Sequence, residues 1–255
     1  MKSAFSLEEA VREAHAHTRV PGVAAGLSRG GGRTFAAAGV LALGGDDAVR
    51  VETPFRVASV TKPFTARLCA ESGVLDDEQR ALLSHTAGLR CESAEPLPAG
   101  TEGLWSYSNA GYWRAAERAC GGTSFAEAMH ERVLEPLGLG ATGFSEPDRH
   151  ALGHPAEDRA AVADAYPVAR RPSGGLWSTV GDLVRFGEAQ LREIDGPVFE
   201  PQIDSLGECY ALGWWVRKLA DGRAAYDHEG SVAGYQSLLL LVPEDELVLA
   251  VLTNS

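Results

Sequence analysis

The sequence predicts an α/β fold of the α+β type, in which both ends of the chain form one antiparallel sheet with flanking helices. A mostly helical lobe is inserted between the two ends. Strand-like apolar runs occupy residues 23–43 and return between residues 211 and 252. From residue 59 onward the apolar residues of the middle region instead recur at helical spacing. Runs of strands separated by a run of helices are typical of this architecture.

The order of these regions predicts two domains. We expect residues 1–58 and 173–255 to form the sheet domain and residues 59–172 to form the inserted helical domain. A chain of 255 residues is long enough for one large core or two small ones. Its content of 45% apolar and 23% charged residues is ordinary for a globular protein, so the whole chain is expected to fold.

An amphipathic helix over residues 7–17 is the first expected element. Ser6 can cap it, and Glu9 stands three residues further on, as in a capping box. A hairpin follows around the glycine cluster at residues 30–32. This cluster does not resemble a phosphate-binding loop, because no Lys-Ser/Thr pair follows it and no helix begins after it.

Helices are expected in the middle of the chain and strands at its end. The expected helices are residues 62–72, 77–84, 112–120, 124–134 and 179–191. The expected C-terminal strands are residues 211–216, 224–228, 232–242 and 246–252. A turn sequence at Asp221-Gly222 separates the first two of these strands, and one at residues 243–245 separates the last two.

Composition excludes several classes of partner. A net charge of −12 argues against binding to nucleic acid or to anionic membranes, which requires basic patches. No apolar run approaches the ~20 residues of a membrane span, and the N-terminus lacks an apolar signal core. We therefore expect a cytoplasmic protein that needs no cofactor or metal. The cysteines form no C-x-x-C pair and are expected to be free, buried thiols; they are Cys69, Cys91, Cys120 and Cys209.

The stretch from Phe55 to Pro63 contains a candidate nucleophile. It is expected to lead from a strand into the first turn of a helix, where Ser59 and Lys62 would share one face. A serine hydroxyl needs a neighbouring base to become nucleophilic. Lysine can be that base when burial or nearby cations lower its pKa. The tetrapeptide Ser-x-x-Lys at residues 59–62 is by itself weak evidence for a catalytic site, because a solvated serine and lysine on a helix would have the same spacing.

Two further stretches contain candidate site residues. Tyr107 can relay protons if nearby cations such as Lys62 lower its pKa, and Asn109 can hydrogen-bond an acyl or amide group. Gly230, near a strand, would let a substrate approach the backbone. The N–H of Ser231 can pair with that of Ser59 to bind an oxyanion. Each residue also fits a structural role in a loop or at a strand end.

Five segments together resemble the class C β-lactamase-like serine hydrolases. They are residues 55–63, 82–88, 107–112, 173–179 and 228–230, in the order seen in that family. The family contains β-lactamases, D,D-peptidases, D-aminopeptidases, carboxylesterases and biosynthetic acyl-transfer enzymes. The resemblance covers almost the whole chain and implies the β-lactamase/transpeptidase-like fold.

The resemblance also implies roles for individual residues. Ser59 would be the acylated nucleophile, and Lys62 and Tyr107 would share proton transfer. The substrate-binding residues would be Asn109, His228, Gly230 and Ser231. His228 occupies a position that is often lysine in the family. The N–H groups of Ser59 and Ser231 would form the oxyanion hole.

The chain departs from the family pattern in two places. Only positions 63–81 separate Lys62 from Leu82, where relatives have a longer segment, so the chain resembles a shortened member with a more open site. The sequence also stops after its last strand, where relatives often continue into a helix that covers the sheet. The helix at residues 7–17 would then cover this face alone or with a partner. Exposed apolar sheet would favour association of like chains.

These features favour a small ester or amide as substrate, with an esterase-like or biosynthetic acyl-transfer role. No export signal is visible, and His228 is mostly neutral at pH 7, whereas a lysine would offer a permanent cation to a substrate carboxylate. Glu229 adds negative charge, although strand alternation would turn it away from the site. A true β-lactamase or D,D-/D-amino peptidase remains an alternative. The segments that are shorter than in relatives leave a third hypothesis open. In it, the protein is a pseudoenzyme that has the same fold and binds ligands.

Overall fold

The computed structural model describes residues 6–99, 101, 104–155, 165–205 and 208–255. Over these ranges its main feature is an eight-stranded sheet with the order β2-β1-β10-β9-β8-β7-β6-β5. The strands of this sheet are β1 (Gly22–Arg29), β2 (Gly32–Gly39), β5 (Ile203–Ser205), β6 (Glu208–Tyr210), β7 (Trp215–Lys218), β8 (Ala224–Val232), β9 (Tyr235–Val242) and β10 (Leu247–Thr253). Two short strands, β3 (Phe55–Arg56) and β4 (Trp177–Ser178), pair separately.

The helices follow the sequence-based prediction closely. They are α1 (Leu7–Thr18), α2 (Thr61–Glu71), α3 (Asp77–Leu83), α4 (Asn109–Cys120), α5 (Phe125–Met129), α6 (Arg171–Gly174) and α7 (Val180–Leu191). A π-helical turn, His130–Leu134, extends α5. Side-chain caps fix the starts of the longer helices: Ser6 caps α1, and Thr179 caps α7. None of the helices in the described ranges is both long and apolar enough to cross a bilayer.

The two chain ends pair with each other inside the sheet, one strand from its β2 edge, which confirms the predicted fold class. β1 and β10 are antiparallel neighbours, with Val23 opposite Thr253 and Arg29 opposite Leu247. α7 packs on one face of this pair, and Gly187 allows the close approach, because a Cβ there would lie 2.5 Å from Val248 Cγ1. The opposite face of β1 and β2 is covered by α1.

One hydrophobic core continues from the sheet into the helical region. Phe64 of α2 stacks on Phe186 of α7 with 3.6 Å between ring centroids. Both rings are fully buried in the main cluster of apolar side chains. The division into a sheet domain and an inserted helical domain stays a prediction.

The C-terminal strands differ from the prediction. β8 runs without a break to Val232, and the turn falls at residues 233–234, where Gly234 has a φ of +80°. Gly230 is therefore inside a strand and does not end it. The predicted strand over residues 211–216 is replaced by β7, because Gly213 adopts a φ of +83° that breaks the extended backbone. β5 and β6 were not predicted, since their residues show little apolar alternation.

Part of the sheet's outer face is left without a covering helix in the described structure. α1 contributes Leu7 and Val11 to a small second core over β1 and β2. Further along the sheet, Leu238, Leu240 and Leu249 remain partly exposed. This arrangement is the one expected from the sequence, and association through this face stays a prediction.

The four cysteines are free. Cys69 and Cys120 are buried as expected, but Cys91 is exposed and Cys209 is only partly buried. The prediction of buried thiols is therefore wrong for Cys91, which lies on a surface loop. Residues 1–5, to which the expected lack of an export signal partly refers, lie outside the described residues.

Candidate active site

Ser59 lies in the 3-10 turn Ala58–Val60, which connects β3 to α2. It therefore precedes the helix, whereas the sequence predicts it in the first helical turn. Ala58 has a φ of +44°, a left-handed conformation that costs a non-glycine residue about 1–3 kcal/mol and persists only where neighbours enforce it. One such neighbour is Ser237 of β9, whose Oγ donates a hydrogen bond of 2.7 Å to Val57 O.

Gly230 brings β8 against this turn. A Cβ at Gly230 would lie 2.3 Å from Val57 O and 3.0 Å from Ser59 N, so only glycine fits at this distance. The backbone that approaches Gly230 most closely is thus the chain's own Ser59 turn. The expected role of Gly230 toward a substrate stays a prediction.

Lys62 is fully buried, and its Nζ points at Ser59. Nζ lies 3.1 Å from Ser59 Oγ and also donates hydrogen bonds to Asn109 Oδ1 (2.7 Å) and Ser173 O (2.8 Å). Burial lowers the pKa of Lys62 to about 7, although the nearby Cys91 and Glu92 oppose this shift. A large fraction of Lys62 is therefore neutral at physiological pH and able to accept the Ser59 proton.

Tyr107 completes a cluster of three functional groups. Its side chain hydrogen-bonds Ser59, and its ring lies below the Lys62 Nζ, 4.7 Å from the ring centroid. The expectation that cations lower the pKa of Tyr107 is wrong. Burial dominates and raises that pKa above its usual value, outweighing the hydrogen bond to Ser59. The phenol is therefore protonated at neutral pH and can donate a proton.

Asn109 begins α4 and is held at both ends of its amide. Its Oδ1 accepts from Lys62, while its Nδ2 donates to Glu92 Oε1 and lies 3.9 Å from Cys91 Sγ. Glu92 in turn pairs with Arg170 at 3.3 Å. The amide connects the buried lysine to a carboxylate at the surface, and the expected contact of Asn109 with substrate stays a prediction.

His228 lies in β8 and faces the interior. Its Nδ1 is 2.7 Å from Glu229 O and its Nε2 is 3.2 Å from the Tyr210 hydroxyl. Because a carbonyl oxygen only accepts, Nδ1 carries the proton and Nε2 accepts from Tyr210. Burial, reinforced by the charge of Lys62, lowers the pKa of His228 to about 3. His228 is thus neutral, and the exposed side chain of Glu229 points to the other face.

The edge of β8 next to the Ser59 turn is open in the described structure. β7 pairs with β8 only as far as Asp227, whereas β9 continues to Val232. Ser231 lies on this open segment, and its Oγ accepts a hydrogen bond of 2.9 Å from Gln236 Nε2. The Ser231 N–H as an oxyanion donor stays a prediction.

Sequence reasoning missed two residues of the 166–179 segment that shape the site. Ser173 supplies the carbonyl that binds Lys62, and its Oγ accepts from Trp113 Nε1 at 2.9 Å. Tyr166 hydrogen-bonds Ser173 and lines a pocket of about 230 Å³ together with Arg56 and Tyr235. The position of the Ser173-Gly-Gly-Leu-Trp segment among the family motifs was the one available signal.

His150 and His154 are four positions apart, a spacing that would place them on one face of a helix, but the structure separates their rings. His150 Nδ1 contacts Pro147 O at 2.7 Å, whereas His154 Nε2 accepts from Leu43 N at 3.1 Å, so the two rings do not converge. Among the described residues, no group of three or more His, Cys, Asp or Glu side chains is arranged to hold a metal ion.

The chain is similar to known proteins in sequence and in fold. The sequence model of the Beta-lactamase family matches residues 7–71 and 79–255. Penicillin-binding protein 4 of Amycolatopsis lactamdurans is 26% identical over 321 residues, covering 96% of this chain and 83% of the relative. Because that alignment is longer than the 255-residue chain, the relative has segments that this chain lacks.

Solved structures share the fold. The beta-lactamase from Sulfitobacter sp. EE-36 superposes with a TM-score of 0.86 at 20% identity, covering 98% of this chain and 94% of that one. The octameric penicillin-binding protein homologue from Pyrococcus abyssi superposes with a TM-score of 0.83 at 21% identity, covering 98% and 73%.

The fold and the family match define a serine hydrolase of the β-lactamase and penicillin-binding-protein type. The chain belongs to the Beta-lactamase family. The resemblance inferred from the five sequence segments is thereby confirmed.

Proposed function

We propose that the chain forms an acyl-enzyme on Ser59 with a small ester or amide and passes the acyl group to water or another acceptor, in an esterase-like or biosynthetic role. The observation that carries this proposal is the buried Lys62 amine, 3.1 Å from Ser59 Oγ and with a pKa of about 7. A base with a pKa near the working pH is suited to proton abstraction.

Acylation would begin with the neutral Lys62 amine accepting the hydroxyl proton as Ser59 Oγ bonds to the carbonyl carbon. The carbonyl π bond becomes an oxyanion, which the N–H groups of Ser59 and Ser231 would stabilise. Tyr107 then donates its proton to the leaving oxygen or nitrogen while the bond to the acyl carbon breaks. Lys62 returns a proton to Tyr107, so the charge balance is restored.

Deacylation would use the same groups in reverse. Water or another hydroxyl or amine loses a proton to the Tyr107–Lys62 pair as it attacks the acyl carbon. The second tetrahedral intermediate collapses, the Ser59 ester bond breaks, and Ser59 Oγ recovers a proton. No group outside the Ser59, Lys62 and Tyr107 cluster is needed for either proton transfer.

The strand side of the site favours substrates without a carboxylate. His228 is buried, neutral and hydrogen-bonded to Tyr210, so this position offers no permanent cation. An uncharged ester therefore loses no binding free energy at this position. A carboxylate would lose its hydration there without gaining a cationic partner.

Two assays test the proposal. Purified protein should turn over p-nitrophenyl esters much faster than the β-lactam nitrocefin. Intact-mass spectrometry with a fluorophosphonate should show one label, absent from Ser59→Ala. Rapid nitrocefin hydrolysis without esterase activity would contradict the esterase-like assignment, and absence of a label on the wild type would instead favour a pseudoenzyme that binds ligands.

A true β-lactamase or a D,D-/D-amino peptidase is the second candidate. It is favoured by the similarity to a penicillin-binding protein and by the β-lactamase fold. D-alanyl peptides and penicillins, assayed in parallel with the esters, distinguish these activities. A kcat/KM for peptides above that for every ester would select the peptidase.

Association of like chains is a further part of the proposal. The superposing homologue from Pyrococcus abyssi is described as octameric, and Leu238, Leu240 and Leu249 are partly exposed on the sheet. Light scattering coupled to gel filtration measures the mass directly. A Leu240→Lys variant that still elutes as an oligomer would contradict association through this face.

A further inference from the structure

His85 occupies the segment between α3 and the loop that carries Tyr107. It belongs to the Leu82–Leu89 motif, for which the sequence suggests no chemistry. The residue is 1% exposed and adopts a φ of +65°, a left-handed conformation that is uncommon outside glycine. A buried histidine in such a backbone conformation is held there by specific contacts.

Both backbone N–H groups that flank Tyr107 donate to His85. Ser106 N donates to His85 O at 2.9 Å, and Ser108 N donates to His85 Nδ1 at 3.0 Å. The residue on each side of Tyr107 is therefore hydrogen-bonded to His85. In the left-handed conformation of His85, its carbonyl oxygen and its ring Nδ1 both accept a hydrogen bond from this loop.

The imidazole also packs on the Tyr107 ring. The ring centroids are 4.4 Å apart with an interplanar angle of 34°. On its other sides the imidazole contacts Tyr210 at 4.9 Å, Tyr112 at 5.3 Å and Trp105 at 5.7 Å. The phenol of Tyr107 thus rests on a ring that is itself enclosed by aromatic side chains.

The hydrogen bond from Ser108 fixes the tautomer. Since Nδ1 accepts, the proton is on Nε2, which is buried and has no hydrogen-bond partner. Burial, followed by the charge of Lys62, holds the pKa of His85 well below its usual value. A protonated ring would lose the bond from Ser108, so the neutral state preserves the loop geometry.

We propose that His85 is a positioning residue, which orients the Tyr107 phenol toward Ser59 by holding the backbone on both sides of Tyr107. This inference rests on the proposed role of Tyr107 in proton transfer. His85 itself touches neither Ser59 nor, in the proposed reaction, the substrate. Small errors in the placement of a catalytic group reduce rates by up to ~10²-fold.

The first test compares two substitutions. His85→Leu keeps a similar volume but has no acceptor for Ser108 N–H. His85→Asn tolerates the left-handed backbone and offers an amide oxygen in place of Nδ1. We expect the leucine variant to reduce kcat for methyl esters, whose leaving alkoxide needs a proton, about 10- to 100-fold, with KM within about threefold. The asparagine variant should recover at least half of the lost rate on a logarithmic scale.

The second test is a double-mutant cycle with Tyr107→Phe. If His85 acts through the Tyr107 hydroxyl, His85→Leu should reduce kcat for the methyl esters less than about threefold once that hydroxyl is absent. A purely structural role would reduce this kcat equally in both backgrounds. His154→Leu is the matched control, because His154 is also buried and accepts a backbone N–H, from Leu43 at 3.1 Å. It should lower Tm without changing kcat.

The outcomes separate this inference from the proposed function. A wild-type kcat in His85→Leu, an equal reduction of kcat in both backgrounds, or no recovery in His85→Asn would overturn the positioning role. A wild type that takes no fluorophosphonate label, or a Tyr107→Phe variant with the wild-type kcat for methyl esters, overturns the proposed mechanism and this inference with it. If His85→Leu does not fold, His85→Gly, which accepts the left-handed backbone without strain, replaces it.

Discussion

The helical side and the strand side of the site differ in charge and in hydrogen bonding. On the helical side, Lys62 is surrounded by acceptors and is connected through Asn109 to Glu92. On the strand side, His228 is neutral and Gly230 presents only backbone. In the proposed mechanism, proton transfer would depend on the helical side, whereas the strand side would determine which substrate charge is accepted.

Removal of the Lys62 amine from the helical side should have the largest effect on activity. Lys62→Met keeps the length of the side chain but removes the proposed base, and we expect kcat/KM for a neutral ester to fall about 10³-fold. Ser59→Ala sets the background rate in the same assay. A loss of less than tenfold would mean that another group accepts the Ser59 proton.

Loss of the Tyr107 hydroxyl should reduce the rate less than loss of the Lys62 amine. Tyr107→Phe removes the proposed proton donor while keeping the ring against His85, so kcat should fall about 10²-fold with little change in KM. Stopped-flow measurements with amide and ester leaving groups check the reason. The amide should suffer more, since its leaving nitrogen needs a proton, and equal losses would contradict the donor role.

The pH profile should follow Lys62. Burial disfavours the charged amine, which lowers its pKa to about 7, and the neutral form is the proposed base. Therefore kcat/KM should rise about tenfold per pH unit below 7 and level off above it. His228, with a pKa of about 3, contributes no transition between pH 5 and 9. A profile that is flat from pH 5.5 to 8 would show that Lys62 is not the titrating base.

A positive charge placed on the strand side should have the smallest effect. This effect should be on substrate specificity. His228→Lys puts a cation beside the site and should raise the kcat/KM of a carboxylate-bearing ester over its methyl ester about fivefold. Glu229→Lys adds a lysine one position along, on the exposed face, and serves as the control. An equal shift in both variants would indicate long-range attraction and no local contact.

The sequence predicted the fold from its runs of strands and helices, and it predicted the Ser59–Lys62 pair from their spacing. Tyr107 was joined to that pair only by the resemblance of ordered motifs to the family, and the roles of the three residues stay a prediction. The sequence did not predict the sign of the Tyr107 pKa shift, which depends on burial by residues distant in sequence. It also did not predict that Asn109 would be held by Glu92, 17 positions away in an irregular loop. Contacts of this kind leave no periodic pattern in a single sequence.

The mispredicted strand boundaries have a similar origin. Gly230 was expected between two strands, since the predicted strands covered residues 224–228 and 232–242. In the structure it is required in mid-strand, where the turn that contains Ser59 leaves no room for a Cβ. The reason for that glycine lies in a segment about 170 positions earlier in the chain, since Val57 and Ser59 are the residues it contacts.

The pairing of β1 with β10 has a consequence for biosynthesis. The pairing of Val23 with Thr253 joins the β1–β2 hairpin to the rest of the sheet, so the sheet cannot be completed before the ribosome has released residues near the end of this sequence. Until then, the β1 edge of the hairpin is unpaired. Such long-range pairing slows folding and exposes intermediates to aggregation. Chaperone demand during translation should therefore be greatest in the interval between synthesis of β2 and synthesis of β10.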